Sequence, residues 1–318
     1  MIGKDVLLAK EILEKGGLVG IPTETVYGLG ANGYSAAAVL KIFAAKERPY
    51  FDPLILHFYS LEAVEEAVSS FPLIAKKLAK EFWPGPLTLV LPKKSIVPDE
   101  VTSGLDSVAV RVPRHPMTLS LLESLAFPLA APSANPFGYV SPTSAIHVEE
   151  QLKDRIDYVL DGGDCVVGVE STIVSFLEVK PIILREGGVS REEIEKIIGE
   201  VATVPVSSSK PLAPGMLESH YAPRVKLTLV QNLKEYLVDN NIIEGSGLLC
   251  FKDPISHKGS VRCVVLSQKG NVEEAASNLF RVLRSFDSNR VSHIYAEMVP
   301  NKGIGRAVND RLQRASAV

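Results

Sequence analysis

The sequence has few cysteines and lacks the common spacings of metal-binding residues. Its 318 residues include three cysteines, Cys165, Cys250 and Cys263, which form no C-x-x-C pair. An odd count does not suit a disulfide framework, so we expect a reducing compartment and cysteines that serve as small apolar residues. The six histidines show no H-E-x-x-H or similar spacing. We therefore expect no zinc or other metal held by the protein alone, and any metal would arrive with a substrate.

Long apolar runs and a basic front half are missing as well. No apolar run approaches the ~20 residues that span a bilayer, and no basic stretch precedes an apolar segment of signal length. We expect a cytoplasmic protein that does not enter a membrane. Residues 1–223 hold 20 Lys+Arg against 28 Asp+Glu, whereas residues 224–318 hold 14 against 9. An acidic front half is a poor surface for a polyanion, so nucleic acid would more plausibly meet the C-terminal part.

The common nucleotide signatures are absent or misplaced. No G-x-x-x-x-G-K-[ST] segment occurs, which excludes a P-loop. Residues 28–33 match G-x-G-x-x-G, but six residues separate them from the preceding predicted strand, and the helix cap Ser35 lies beyond them. The dinucleotide fingerprint requires these glycines at a strand–helix junction. A nicotinamide enzyme is therefore disfavoured.

What is present predicts two α/β domains joined by a linker. A chain of this length is too long for one ordinary core. Residues 201–223 contain three consecutive serines and four prolines, which is typical of a linker. Before the linker, helices are predicted at 4–15, 35–45, 61–68, 73–82, 116–125, from a cap at 141–143 to about 153, and at 191–198. Strands are predicted there at 18–21, 54–58, 87–91, 108–112, 128–131, 158–160, 171–176 and 182–185. After the linker, strands at 225–230, 247–251, 262–266 and 292–298 with helices at 232–240, 272–286 and 304–315 predict a small parallel α/β domain.

Polar side chains are concentrated between residues 21 and 58. This stretch carries the hydroxyls, carboxylate and cations Thr23, Glu24, Thr25, Tyr27, Lys46 and Arg48. Lys46 and Arg48, taken alone, could be solvated charges at a helix end, where cations favour the helix dipole. His57, inside the strand predicted at 54–58, is either a hydrogen-bonded core histidine or a polar contact at the ligand-facing end of that strand.

Arg111 is harder to explain by folding alone. The segment V-A-V-R-V at 108–112 predicts a strand buried on both faces, and a buried guanidinium needs a partner anion. That anion is either an internal carboxylate or a carboxylate or phosphate of a ligand. Ser133 and Asn135 follow a predicted buried strand, where they could serve turn chemistry or a ligand site. Together these residues favour one small-molecule site rich in anions.

Eleven segments in order carry a family resemblance. They are P-T-E-T-V-Y-G-L at 22–29, K-E-R-P at 46–49, P-L-I-L-H at 53–57, W-P-G-P-L-T at 83–88, V-A-V-R-V-P at 108–113, A-P-S-A-N at 131–135, S-P-T at 141–143, D-G-G at 161–163, E-S-T-I-V at 170–174, L-R-E-G-G at 184–188 and A-P-G-M-x-x-x-H-Y-A-P at 213–223. In these segments the chain resembles the threonylcarbamoyl-AMP synthase family, the YrdC-like proteins, in its long two-domain form.

The resemblance implies both a fold and a reaction. The fold would be α/β, with a YrdC-like open twisted mixed sheet, helices and a concave active surface at 1–200, an ordered linker or lid over the active site at 201–223, and a smaller Rossmann-like domain at 224–318. L-threonine, bicarbonate and ATP would give threonylcarbamoyl-AMP and pyrophosphate, with Mg²⁺ accompanying ATP and no organic cofactor. A separate transferase complex would then modify an adenosine beside the anticodon of tRNA.

The resemblance also implies site residues. L-threonine would be held by Thr25, His57, Arg111, Ala131 and Ser171. ATP would be held by Lys46, Arg48, Asp52, Ser107, Ser133, Asn135, Ser141, Arg185 and, from the linker, Tyr221. Catalysis would rest on Lys46, Arg48 and Arg111. Asp52 departs from the family pattern, which usually has Asn there, because a carboxylate near phosphates needs a cation beside it.

A competing hypothesis is an RNA-binding protein that uses the concave surface and has no chemistry of its own. The acidic front half and the lack of interleaved aromatic and basic residues count against it.

Overall fold

The computed structural model describes residues 1–203, 211–217, 220–287 and 291–317. Residues 204–210 and 218–219 of the predicted linker lie outside the described residues. The chain divides into two compact units. The first comprises Met1–Phe137, Ser141–Val166 and Glu170–Leu217, and the second comprises Gly138–Val140, Val167–Val169 and Glu218–Val318. None of the helices in these described ranges combines the length and the apolar character that crossing a membrane requires.

The first unit is built on one mixed sheet. Its strands are β1 Ile2–Gly3, β2 Val19–Ile21, β3 Gly28–Asn32, β4 Ile55–His57, β5 Leu87–Pro92, β6 Ser107–Arg111, β7 Leu129–Ala130, β8 Tyr158–Leu160, β9 Thr172–Ser175, β10 Ile182–Arg185 and β11 Ala202–Thr203. They follow the order β1-β8-β2-β3-β7-β4-β6-β5-β9-β10-β11. β4 and β6 are parallel, whereas β5 is antiparallel to β6 and β9 is antiparallel to β10. The predicted mixture of parallel and antiparallel pairs is confirmed.

Helices pack on this sheet and supply much of its core. They are α1 Val6–Glu14, α2 Ala36–Lys46, α3 Leu61–Glu65, α4 Leu73–Phe82, α5 Asp99–Thr102, α6 Pro116–Ser124, α7 Ala145–Leu152 and α8 Arg191–Ile198. The predicted cap Ser35 opens α2, and its Oγ accepts a hydrogen bond from Ala38 N at 3.3 Å. The side chains at 38, 42 and 46 share one buried stripe of α2 at the i, i+4 spacing. The periodicity that anchors α2 thus also buries Lys46.

The glycine-rich segment 28–33 forms a strand that the sequence analysis did not predict. β3 runs antiparallel to both β2 and β7 in the interior of the sheet. The glycines permit close packing, since a Cβ on Gly33 would lie 2.6 Å from Leu56 Cδ2 and 2.9 Å from Pro128 O. Gly28 and Gly30 lie within β3 in the interior of the sheet and not at a strand–helix junction, so the dinucleotide-binding alternative is wrong.

A second correction concerns α7. The predicted cap at 141–143 is wrong, because Ser144 occupies the N-cap position and α7 begins at Ala145. Ser141 is instead buried, and its Oγ donates a hydrogen bond to Glu170 Oε1 at 2.6 Å. A Ser-Pro-Thr sequence satisfies the rules for a cap, but the Ser141 hydroxyl is used in a tertiary contact, and the Ser144 side chain makes no capping hydrogen bond.

The second unit is a small parallel α/β fold, as predicted. Its elements are β12 Leu227–Val230, α9 Leu233–Asp239, β13 Ser246–Cys250, β14 Ser260–Val265, α10 Val272–Asp287, β15 Ile294–Glu297 and α11 Gly305–Ser316. The strand order is β12-β15-β13-β14, and each pair is parallel. The carboxyl ends of these strands therefore meet at one edge of the sheet.

Candidate active site

One face of the first unit's sheet combines an apolar patch with polar side chains. The patch comprises Ile55, Val90, Ala109, Ile173 and Leu184, one from each of five strands. Residues two positions apart along a strand point to the same face. The polar residues that this rule adds to the face include His57, Thr88, Ser107, Arg111 and Ser171. We call this surface the site face, and it gathers four of the predicted ligand-binding residues together with Thr88.

Arg111, the last residue of β6, is held rigidly on the site face. Its Nη2 donates to Glu24 Oε1 at 2.6 Å, its Nη1 donates to Thr25 Oγ1 at 3.0 Å, and its Nε donates to Gly85 O at 3.2 Å. Glu24 Oε2 also accepts a hydrogen bond from Arg114 N at 2.9 Å. Of the two partner anions that the sequence left open, the internal carboxylate is the one present. The buried pair fixes the direction of the guanidinium.

His57 lies beside Arg111, because the two residues are register partners on the parallel strands β4 and β6. Its ring is 3% exposed, and Nδ1 lies 3.2 Å from Ile55 O. Burial, and then the Arg111 charge, lower the pKa of His57 to about 3. A neutral imidazole therefore faces the site at physiological pH.

Arg185 reaches the site face through a β-bulge. Leu184 and Arg185 together oppose Ile173 of β9, so the strand register shifts by one residue. An extra residue of this kind re-aims the side chains that follow it. Arg185 donates from Nη2 to Ser171 O at 2.9 Å and from Nη1 to Pro214 O at 3.1 Å. Ser171 Oγ is in turn 2.7 Å from Thr88 Oγ1.

Lys46 and Arg48 are not solvated charges at a helix end. The two residues are 1% and 6% exposed, so that alternative is wrong. Lys46 Nζ donates to the carbonyl oxygens of Ser133 and Asn135, which joins the end of α2 to the segment after β7. Burial, reinforced by the Arg48 charge, holds the pKa of Lys46 well below its ordinary value. An anion placed beside this amine would favour its protonated form.

Asp52 lies among cations. Its Oδ2 is 2.8 Å from Arg48 Nη2, and both side chains are buried. Burial raises the pKa of Asp52, while the charges of Arg48, Lys46 and Arg185 act in the opposite direction. Among the described residues, none gives either Asp52 carboxylate oxygen a well-aligned hydrogen bond. The cation expected beside this carboxylate is therefore present as Arg48, and the charges of Lys46 and Arg185 act on the same carboxyl group.

The other predicted residues have different surroundings. Ser107 begins β6, about 13 Å from Arg111 along the strand at ~3.3 Å per residue. Ala131 donates its backbone N–H to Ile55 O at 3.0 Å. Tyr221 belongs to the second unit, where its ring stacks on Phe280 at a centroid distance of 5.6 Å.

Thr88 and Glu170 are site residues that the sequence analysis missed. Thr88 orients Ser171, and Glu170 accepts the Ser141 hydroxyl. Thr88 lies in the quoted segment W-P-G-P-L-T, and Glu170 lies in E-S-T-I-V. The family resemblance was therefore the signal that could have identified them. Across the described chain, no three His, Cys, Asp or Glu side chains gather as a metal site would require.

Part of the predicted linker lies on the site face. Residues 211–217 belong to the first unit, and Ala213 and Met216 are buried against the apolar patch. The bond from Arg185 Nη1 to Pro214 O at 3.1 Å holds the same segment. These residues therefore cover strands that carry the candidate site residues.

Comparison with known proteins gives the family. A family profile described as "Telomere recombination" (Sua5, YciO and YrdC) matches residues 11–187, and one described as "Threonylcarbamoyl-AMP synthase, C-terminal domain" matches residues 189–317. A Pyrococcus abyssi protein named threonylcarbamoyl-AMP synthase is 45% identical over 98% of this chain and 94% of its own length. The chain belongs to the threonylcarbamoyl-AMP synthase family. A Bacillus subtilis member of this family is 39% identical over 97% of this chain and 92% of its own length.

Solved structures give the same family and fold. A crystal structure of Pyrococcus abyssi Sua5 complexed with L-threonine matches with a TM-score of 0.91 at 41% identity, covering 99% of this chain and 97% of that one. Escherichia coli YciO matches with a TM-score of 0.52 at 23% identity, covering 59% of this chain and 93% of that one. The latter likeness shows the fold alone. The predicted family and the predicted fold class of this threonylcarbamoyl-AMP synthase family member are confirmed.

Proposed function

We propose that this protein forms threonylcarbamoyl-AMP and pyrophosphate from L-threonine, bicarbonate and ATP. The names of its relatives and the L-threonine in the Pyrococcus abyssi structure support this function. The observation that carries it here is the fixed Arg111 guanidinium beside the neutral His57 ring on the site face. Family membership favours this enzyme over an RNA-binding protein without chemistry.

L-threonine would bind with its carboxylate on Arg111. A guanidinium has five N–H donors, and three hydrogen bonds occupy it here, so donors are left for a ligand carboxylate. The threonine hydroxyl and amine would meet neutral polar groups. These groups are Thr25, His57, Ser171 and the backbone at Ala131.

ATP would bind where Lys46, Arg48 and Arg185 gather around Asp52. These cations would offset the charge of the triphosphate, and binding would in turn favour protonation of the buried Lys46 amine. The further proposed contacts are Asp52, Ser107, Ser133, Asn135, Ser141 and Tyr221. Mg²⁺ would arrive bound to the nucleotide, as part of the substrate.

The reaction needs positioning and charge compensation. The threonine nitrogen forms a bond to the carbon of bicarbonate and water leaves, which gives an N-carboxylate. An oxygen of this group attacks the α-phosphorus, and the bond from that phosphorus to pyrophosphate breaks. The attacking oxygen is already anionic, so Lys46, Arg48, Arg111 and Arg185 supply the positive charge that the transfer needs. The product is a labile mixed anhydride, which residues 211–217 would shield from water.

The product would pass to a separate transferase complex that modifies an adenosine beside the anticodon of tRNA. A mixed anhydride is an activated acyl donor, so its chemistry requires an acceptor in a following step. The synthesis itself requires no RNA.

The test is pyrophosphate release by the full-length protein without RNA. We expect release that depends on both L-threonine and bicarbonate. Arg111→Lys should raise the KM for threonine about tenfold to hundredfold, because an ammonium cannot reproduce the fork of a guanidinium. Arg155→Lys is the matched control, since Arg155 is exposed and pairs with Glu47. Release that ignores threonine or bicarbonate, or equal KM values for the two variants, would contradict the proposal.

A further inference from the structure

We propose that the second unit contains a separate binding site for a nucleoside phosphate, located at the carboxyl ends of β12, β13 and β15. The site belongs to a different part of the chain from the site face and does not depend on the synthase function.

The site is a cleft of about 850 Å³. Its walls are the segments 231–234, 251–256 and 297–301, which comprise the last residue of β15, the loops that follow β12, β13 and β15, and the first turn of α9 with Lys234. Open parallel α/β sheets bind ligands outside the carboxyl ends of their strands. A volume of this size lies within the ~300–1,000 Å³ range of small-molecule pockets. Topology and volume therefore favour a ligand site.

Hydrogen bonds within the protein hold the walls of the cleft in place, so a bound ligand is not needed to order them. Glu297 ends β15, and its Oε2 accepts from Phe251 N at 2.9 Å while its Oε1 accepts from Leu233 N at 3.4 Å. Asn309 of α11 is buried, and its amide both accepts from Val299 N and donates to Val299 O at 2.9 Å. One carboxylate and one amide thus hold all three walls, so the cleft is preorganised for binding.

The lining suits an aromatic ring that carries an anion. Phe251, Ile255 and Met298 are half-buried and offer an apolar surface for a ring. Lys234 and Lys252 are exposed on the lining, and neither forms an ion pair with the described residues. The two ammonium groups are suited to a phosphate, which they would bind as point charges.

Asp253 adds a feature of nucleotide sites. It follows β13, the second strand of the β12-α9-β13 unit. In dinucleotide-binding sheets a carboxylate near the end of the second strand accepts hydrogen bonds from ribose hydroxyls, and we assign this role to Asp253, although here β15 lies between β12 and β13 in the sheet. The segment after β12 reads Q-N-L-K and contains no glycine-rich phosphate loop. The phosphate is therefore assigned to the two lysines rather than to a helix terminus.

Photo-crosslinking of the full-length protein with 8-azido-ATP tests this site, because the positions of the labelled residues show where the probe binds. The probe also reaches the site face, so labelled peptides are mapped by mass spectrometry. We expect saturable adducts within 231–256 or 291–302 that AMP prevents. Lys234→Glu combined with Lys252→Glu should lower this labelling about tenfold at subsaturating probe, since two attractive charges become repulsive.

Lys226→Glu is the matched control. Lys226 is exposed and precedes β12, so it lies at the opposite end of the strands and should leave the labelling unchanged. Adducts confined to residues 1–217, or equal labelling of the double variant and the control, would overturn the proposal. Protection by inorganic phosphate as effective as by AMP would overturn its nucleoside part. Pyrophosphate release is measured separately, so failure of one proposal does not imply failure of the other.

Discussion

Replacing Glu24 by glutamine should destabilise the first unit strongly, although the two side chains have nearly the same shape. Glu24 is 3% exposed and accepts from Arg111 Nη2 at 2.6 Å and from Arg114 N at 2.9 Å. A glutamine has only one acceptor oxygen. Its NH₂ group would therefore face one of these two N–H groups and could not accept its hydrogen bond. The buried Arg111 guanidinium would also lose its carboxylate partner.

The size of the effect follows from burial. Removing one partner of a buried ion pair costs about 3–5 kcal/mol, and the remaining amide oxygen places Glu24→Gln near the lower end. At about 2–4 °C per kcal/mol for a unit of this size, the melting temperature should fall by about 6–12 °C. The KM for threonine should rise too, because the guanidinium that we assign to the threonine carboxylate loses its orientation.

Urea unfolding followed by tryptophan fluorescence measures this loss directly. The sequence has one tryptophan, Trp83, which lies in the first unit and donates from Nε1 to Leu87 O at 2.7 Å. Glu65→Gln is the control, since Glu65 pairs with Lys76 at the surface and should cost less than about 1 kcal/mol. If Glu24→Gln unfolds within about 1 kcal/mol of the parent, the Glu24–Arg111 pair does not hold the site as described.

Two further predictions concern titrating groups. The pKa of His57 is about 3 when folded against 6.5 when exposed, so the unfolded chain takes up a proton first as the pH falls, and folding should lose about 2 kcal/mol between pH 6.5 and 4.5. His57→Gln should remove this contribution, and unfolding curves with the same pH slope in both proteins would refute it. The Sγ atoms of Cys250 and Cys263 are 3.6 Å apart, and a hydrogen bond from Cys250 lowers the pKa of Cys263 below its ordinary value. Alkylation of Cys263 by iodoacetamide, followed by mass spectrometry, should therefore have its midpoint below that of an ordinary thiol and shift upward in Cys250→Ala; the same midpoint in the parent and in Cys250→Ala would contradict this.

The sequence predicted most elements that have a strong local signal. α4, α8, β8 and β10 have the predicted bounds, because periodicity, caps and turns agree there. β3 could not be predicted in this way, since glycine is rare in strands and its reason for being there is the close approach of distant backbone. β1 and β11, with two residues each, exist only through their pairing partners and carry too little pattern to detect.

The site was predictable in its residue types and less so in its pairings. A guanidinium inside the strand β6 required an anion, but the choice between Glu24 and a ligand depends on tertiary contacts that no local pattern encodes. Similarly, the sequence placed Lys46 at a helix end, and only the packing of α2 shows that this end is buried. The role of Thr88 depends on the register between β5 and β9.

The bulge in β10 divides the β9–β10 hairpin into two parts. The connection between the strands can change in length, whereas the bulged positions set the direction of Arg185. Up to Ile183 the two strands pair residue for residue, and beyond it they are out of phase by one. Without the bulge, residue 184 would oppose Ile173 and Arg185 would oppose Thr172, so the arginine would turn toward the helical side of the sheet. The connection at 176–181 could change length without this effect. The direction of the Arg185 guanidinium thus depends on the bulge at positions 183–185. Variation among homologues and protein engineering can therefore alter the connection far more readily than these three positions.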